Sequence, residues 1–104
     1  MRVLPEPIAF QWDNGNIVKN FEKHNVTFQE AEEMFSNEPF VTVEDIKHST
    51  HVEKPFQALG QTKTSRKLFV AFTIRDKKIR VISIRDMKKK ERMAYERLEK
   101  NSWF

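Results

Sequence analysis

Leu68-Phe69-Val70-Ala71-Phe72-Thr73-Ile74, then Arg75-Asp76-Lys77-Lys78, then Ile79-Arg80-Val81-Ile82-Ser83-Ile84 is the stretch on which the fold turns. Two runs rich in β-branched and aromatic residues flank a connection of hairpin length, so the segment reads as two antiparallel strands. Alternation places Leu68, Val70, Phe72 and Ile74 on one face of the first strand and Phe69, Ala71 and Thr73 on the other. Both faces are apolar, which predicts an interior strand of the sheet with cover on each side.

Working outward, Phe40–Val43 and Phe56–Leu59 are short candidate strands divided by the polar stretch from Glu44 to Lys54. Ahead of them, Thr27-Phe28-Gln29-Glu30 is a capping box: Thr27 can accept from the Glu30 backbone N–H while the Glu30 carboxylate reaches back. Phe28, Ala31, Met34 and Phe35 recur behind it at helical spacing, with Glu32 and Glu33 directed outward. Asn37 to Pro39 end that helix. Further upstream, Ile8–Trp12 reads as a first strand and Asp13 as the N-cap of a helix running to about Lys23, with Ile17 and Phe21 four apart and facing the core. Downstream of the hairpin, Arg85–Lys100 reads as a long helix whose apolar stripe is Met87, Ala94, Tyr95 and Leu98. Glu91 interrupts that stripe, at a position that faces either a basic neighbour on the sheet or a wet edge. The predicted order is β-α-α-β-β-β-β-α, an α+β fold with an antiparallel sheet.

A chain of 104 residues with 38% hydrophobic residues can bury one modest core, and neither a linker nor a repeat divides it, so a single domain over residues 1–104 is expected. Nothing resembles a membrane span or a signal peptide, the mean hydropathy is −0.69, and a cytoplasmic protein is the expectation. The absence of cysteine excludes disulfides and thiolate metal sites. Charge is unevenly spread. Met1–Glu53 carries four Lys/Arg against ten Asp/Glu, a net of −6, while Lys54–Phe104 carries 15 against five, a net of +10. A segment that basic attracts phosphate oxygens.

No Gly-rich phosphate loop, His-Glu-x-x-His or Gly-x-Ser-x-Gly motif occurs. His48 and His51 sit in a polar loop and read as solvated, so no metal and no cofactor is assigned. The basic constellation carries more. Arg75 at the hairpin, Arg80 along the next strand and Arg85 at its end lead into Lys88, Lys89, Lys90, Arg92 and Arg97 on the helix. Such a set can cleave RNA without a metal, because the nucleophile is the substrate's own 2′-hydroxyl; the protein orients it, moves protons and stabilises charge on the phosphate. The same residues equally suit a nucleic-acid-binding surface without chemistry, or a basic face for an acidic protein partner. Tyr95 reads either as an acid–base group or as a packed core aromatic, Arg80 as a phosphate contact or as a partner of Glu91. Lys23 and His24 read as RNA contacts or as a pair favoured by the C-terminal end of a helix dipole.

Taken in order, the blocks resemble one family. Phe10-Gln11-Trp12-Asp13 and Asn20-Phe21-Glu22-Lys23-His24-Asn25-Val26-Thr27-Phe28-Gln29-Glu30-Ala31 resemble the opening of the BrnT toxins, F-x-W-D then N-x-x-K-H-G-V-S-F-x-E-A. Phe72-Thr73-Ile74-Arg75 and Ile79-Arg80-Val81-Ile82-Ser83-Ile84-Arg85 resemble the family hairpin, and Lys90-Glu91-Arg92 with Tyr95 resembles its closing helix. The resemblance implies a RelE-like fold and a metal-independent ribonuclease toxin of a type II toxin–antitoxin pair. It also implies a DNA-binding, BrnA-like antitoxin as partner and RNA as substrate. It implies active-site roles for Arg75, Arg85, Lys90 and Tyr95, with Arg75 and Arg85 on the phosphate, Lys90 stabilising charge, and Tyr95 moving a proton or stacking on a base. Lys23, His24, Arg80, Lys88, Lys89 and Arg92 are the expected RNA contacts. Three positions depart from the family pattern: Asn25 replaces a glycine, Pro55 stands where an arginine is expected, and Lys90 replaces an arginine.

Overall fold

The computed structural model describes residues 8–43 and 55–101. In chain order it contains α1 (Asn14–His24), α2 (Phe28–Ser36), β1 (Val41–Val43), β2 (Phe56–Gln61), β3 (Lys67–Arg75), β4 (Lys78–Asp86) and α3 (Lys89–Asn101). The four strands form one antiparallel sheet in the order β1-β2-β3-β4, so the fold is α+β and β3 is an interior strand, as its two apolar faces require. Asp76 and Lys77 close the β3–β4 hairpin with φ of 54° and 61°. Two successive left-handed residues make a turn whose twist matches that of the flanking strands.

Leu68, Val70 and Phe72 of β3 join Ile79, Val81 and Ile84 of β4 and Ala58 of β2 in the main core, covered by Val26, Ala31, Met34 and Phe35. Phe35 meets the Phe72 ring edge-on at 5.1 Å. The capping box of α2 is formed as the sequence predicts, with Glu30 N–H donating to Thr27 Oγ1 and Thr27 N–H to Glu30 Oε1. Asp13 caps α1, its carboxylate accepting from the Gly15 N–H at 2.8 Å. Asn25, in place of the family glycine, holds φ of 55° between the two helices, a conformation asparagine tolerates.

Several expectations give way. Ile8–Trp12 forms no full strand: Phe10 makes a single parallel bridge to Ile79, fixed by two main-chain bonds of Ile79, before the chain turns into α1. Glu32 and Glu33 are half-buried and bonded, Glu32 accepting from Trp12 Nε1 at 2.7 Å and Glu33 from the Lys63 N–H at 3.1 Å. Phe28, at the first turn of α2, stays 38% exposed and meets Trp12 edge-on. On α3, Ala94 and Leu98 are exposed; among the described side chains of that helix Tyr95 alone is fully buried, beside Met87 and Leu59. The loop from Glu44 to Lys54, with His48 and His51, lies outside the described residues.

Arg66, in the turn between β2 and β3, ties the helical layer to the sheet. Its guanidinium donates to both oxygens of Asp86, both oxygens of Glu30, and the carbonyls of His24 and Asn25. One planar group thus joins the end of α1, the cap of α2 and the end of β4. No helix among the described residues is long and apolar enough to cross a membrane.

Candidate nucleic-acid interface

The main core occupies one face of the sheet, with α1 and α2 over it. Among the described residues, the other face is covered at one end only, where α3 brings Tyr95 against Leu59, with Val41 and Phe69 packed alongside. Past that cover, Gln57, Ala71, Thr73, Arg80 and Ser83 are half-buried, and Arg75 and Lys78 are exposed at the hairpin end. Among the described residues the expected cover on both faces of β3 is therefore incomplete, and the part they leave uncovered is the basic part.

A β-bulge decides which arginines share this surface. Phe72 pairs with Val81, but Ala71 pairs with Ser83, which leaves Ile82 unmatched. Side chains alternate along a strand, so Arg80 and Arg85, five positions apart, would otherwise point to opposite faces. With the extra residue between them, Arg80 opposes Thr73 and Arg85 opposes Phe69, both on the face carrying α3. Ile79, Val81 and Ile84 all remain in the core on the other side.

Arg85 stands at the junction of β4 and α3, stacked 4.1 Å from the Phe69 ring. Its Nη1 and Nη2 donate to Glu91 Oε1 and Oε2 at 2.9 and 3.0 Å, and Nη1 donates also to the Asp86 carbonyl at 3.0 Å. The charged hydrogen bonds from Arg85 outweigh the effect of burial and hold the Glu91 carboxyl below the usual carboxylate range, helped by the Lys88 N–H. Glu91 thus pairs with Arg85, not with Arg80. Among the described residues none forms an ion pair with Arg75 or Arg80.

Lys88, Lys89, Lys90 and Arg92 are exposed around the first turn of α3. This is the positive end of the helix dipole, where each cation costs on the order of 0.3–1 kcal/mol. Glu91, the one acid of that turn, accepts the Lys88 N–H at 2.8 Å and so caps the helix as well as holding Arg85. A helix start with four cations is built against its own stability, a pattern that suits an anionic partner.

The remaining candidates are dispersed. Tyr95 is fully buried, its hydroxyl donating to the Pro39 carbonyl, and burial, with the nearby Glu99 carboxylate, pushes its ionisation above the ordinary tyrosine range. Lys23 and His24 end α1 on the helix-covered side of the sheet, where the His24 carbonyl accepts from Arg66 at 3.3 Å. Arg75 pairs with Lys78, six positions along β3 from the residue opposite Arg85, which separates the two arginines by roughly 20 Å at the usual strand rise. They share a face without converging on one phosphate. The sequence reading overlooked Phe69 as a platform for Arg85; an aromatic directly across the strand pair from an arginine was the available signal.

The family model for the ribonuclease toxin, BrnT, of type II toxin–antitoxin systems matches residues 12–91. The chain belongs to the BrnT family. The matched span takes in α1, both strands of the basic hairpin, and α3 as far as Glu91; Arg92 and Tyr95 fall beyond it. No curated protein matches the chain. What the BrnT family brings to this fold is a chemistry, RNA cleavage by a toxin that has an antitoxin. The sheet face that the described residues leave uncovered, bordered by Arg85 and the cationic start of α3, is basic.

Proposed function

We propose that this chain is a metal-independent endoribonuclease that acts in the cytoplasm, blocks translation by cutting RNA, and is neutralised by a BrnA-like DNA-binding antitoxin. The observation that carries the reading is Arg85, a guanidinium fixed between a ring and a carboxylate at the edge of a basic face that the described residues leave open. RNA lies along that face. Arg85 contacts the scissile phosphate, Arg80 and Arg75 contact successive phosphates toward the hairpin tip, and Lys88, Lys89, Lys90 and Arg92 hold the strand on the other side. The substrate 2′-oxygen attacks phosphorus, the bond to the 5′-oxygen breaks, and the proton lost by the 2′-hydroxyl is balanced by one delivered to the leaving oxygen. Arg85 stabilises the charge that grows on the phosphate oxygens during that exchange. Tyr95 supports the site by packing α3, and Lys23 and His24 lie on the far side of the sheet from it. The antitoxin neutralises the toxin by covering the same basic face.

A second reading, binding of nucleic acid or antitoxin without chemistry, is favoured by the burial of Tyr95, which removes the tyrosine from proton transfer. One experiment separates the two. Purified protein is incubated in EDTA with an RNA oligonucleotide and with its all-DNA counterpart. Cleavage of the RNA alone, leaving a 2′,3′-cyclic phosphate and a 5′-hydroxyl, is the expected result. Binding of both strands without cleavage, by folded protein, selects the second reading, and cleavage that EDTA abolishes removes the metal-independent one.

A further inference from the structure

Arg85 is held from three directions, and the hold leaves one edge of its guanidinium open. A guanidinium has five N–H donors in a fixed plane. Nη1 spends both of its hydrogens, one on the Asp86 carbonyl at 3.0 Å and one on Glu91 Oε1 at 2.9 Å, while Nη2 spends one on Glu91 Oε2 at 3.0 Å. The Phe69 ring closes one side of the plane at 4.1 Å. What remains is Nε–H and the second hydrogen of Nη2, which lie parallel on the same edge and match two oxygens of one phosphate. Among the described residues no acceptor is bonded to that edge, and the side chain is 23% exposed.

From this arrangement we infer that Glu91 and Phe69 are positioning residues for the phosphate contact of Arg85. Glu91 does not occupy the fork that takes the phosphate. It takes the opposite fork and so aims the free one, while Phe69 fixes the plane in which it lies. An unheld arginine has several rotatable bonds and samples many orientations, so its charge is delivered at the right place only part of the time. The same Glu91 oxygen that binds Nη1 also accepts the Lys88 N–H, which couples the aim of the guanidinium to the seating of α3. The inference rests on Arg85 being a phosphate contact.

The test uses the full chain and Glu91→Gln. Glutamine keeps an oxygen for the Lys88 N–H and so preserves the helix cap, but it turns a donor toward Nη2 and breaks the two-point hold. Single-turnover cleavage of an RNA oligonucleotide is measured for wild type, Glu91→Gln, Phe69→Leu, Arg85→Ala and the Arg85→Ala/Glu91→Gln double variant. The expected result is a fall in the rate of cleavage of up to about 100-fold for Glu91→Gln, with little change in KM and a melting temperature close to wild type. In the Arg85→Ala background Glu91→Gln causes no further loss. A Glu91→Gln enzyme as fast as wild type, or faster, overturns the inference, the faster case making the carboxylate a competitor of phosphate. If the wild type cleaves nothing, the nuclease reading falls and the inference is decided separately, by binding of single-stranded RNA. Glu91→Gln must then weaken binding as Arg85→Ala does, without additivity, and unchanged binding overturns it.

Discussion

Arg80 and Arg85 lie five residues apart on β4 and yet share a face of the sheet, because Ile82 is an unmatched residue between the Phe72↔Val81 and Ala71↔Ser83 pairs. The bulge lets one strand do two things. It supplies Ile79, Val81 and Ile84 to the core and two arginines to the opposite surface. Ile82 itself is left 45% exposed.

Arg80→Ala is therefore expected to weaken RNA binding without unfolding the protein. Removing one phosphate contact lowers the slope of log affinity against log salt by about 0.7 for a single strand. Stability should stay within about 0.5 kcal/mol of wild type, since Arg80 has no ion-pair partner among the described residues. Filter binding over a salt series, with a thermal melt beside it, checks both. An unchanged slope would remove Arg80 from the interface.

Tyr95→Phe separates packing from chemistry. The ring stays in its pocket, but the Pro39 carbonyl loses the hydroxyl that donates to it. An abandoned acceptor in a buried setting costs about 1–3 kcal/mol, so a lower denaturation midpoint is expected. Cleavage by the folded protein at 25 °C should stay within a few-fold of wild type. A loss of hundreds-fold in protein shown to be folded would restore a proton-transfer role for the tyrosine.

Much of this architecture is legible because it follows from local rules. The capping box at Thr27–Glu30 is a contact between near neighbours, and the hairpin strands declare themselves by composition and by a short polar connection. The bulge does not, since one extra residue in a strand of apolar and basic residues leaves the alternation readable in two registers. The α3 stripe misleads for a related reason. Periodicity selects Ala94 and Leu98, but the helix crosses the sheet at one end, and Tyr95 with half-buried Glu91 and Glu99 makes the contact. The partner of Glu91 is likewise a tertiary fact: the sequence places a carboxylate opposite some basic residue, and only the strand-to-helix turn picks Arg85 over Arg80.

Acid should loosen the junction that Arg66 makes. The Asp86 carboxyl is held below its usual range chiefly by hydrogen bonds from Arg66, against burial. For Glu30 burial raises the carboxyl, but the Thr27 N–H and Arg66 together bring it below that range. A carboxyl whose folded-state value is depressed contributes stability that is present above its unfolded value and is lost as the pH falls through the folded one. The loss should thus set in below about pH 4. Arg66→Met returns both acids toward ordinary behaviour and shrinks the acid-dependent part, while lowering stability at neutral pH because four acceptor groups lose their donor. Denaturant titrations between pH 3 and 7 compare the two proteins. Parallel stability curves would show that Arg66 is not the group that depresses these acids.

Gly60→Ala tests how closely α2 is seated on the sheet. Gly60 of β2 is buried, and a Cβ there would come within 2.8 Å of Met34 Cε, 3.3 Å of the Met34 carbonyl oxygen and 3.3 Å of Phe40 Cδ1. Its φ is not positive, so the constraint is space and not backbone conformation. The methionine methyl can swing away; the carbonyl belongs to a helix and cannot. A destabilisation of about 1–3 kcal/mol is expected from the overpacking. Met34→Ala alone creates a cavity and costs about 2–5 kcal/mol. In the double variant the alanine methyl moves into part of the space that Met34 vacates, so the combined loss should fall short of the sum of the two single losses. Strict additivity in denaturant melts would mean that the crowding lies against the helix backbone alone, and a neutral Gly60→Ala would mean that α2 sits further from β2 than this geometry has it.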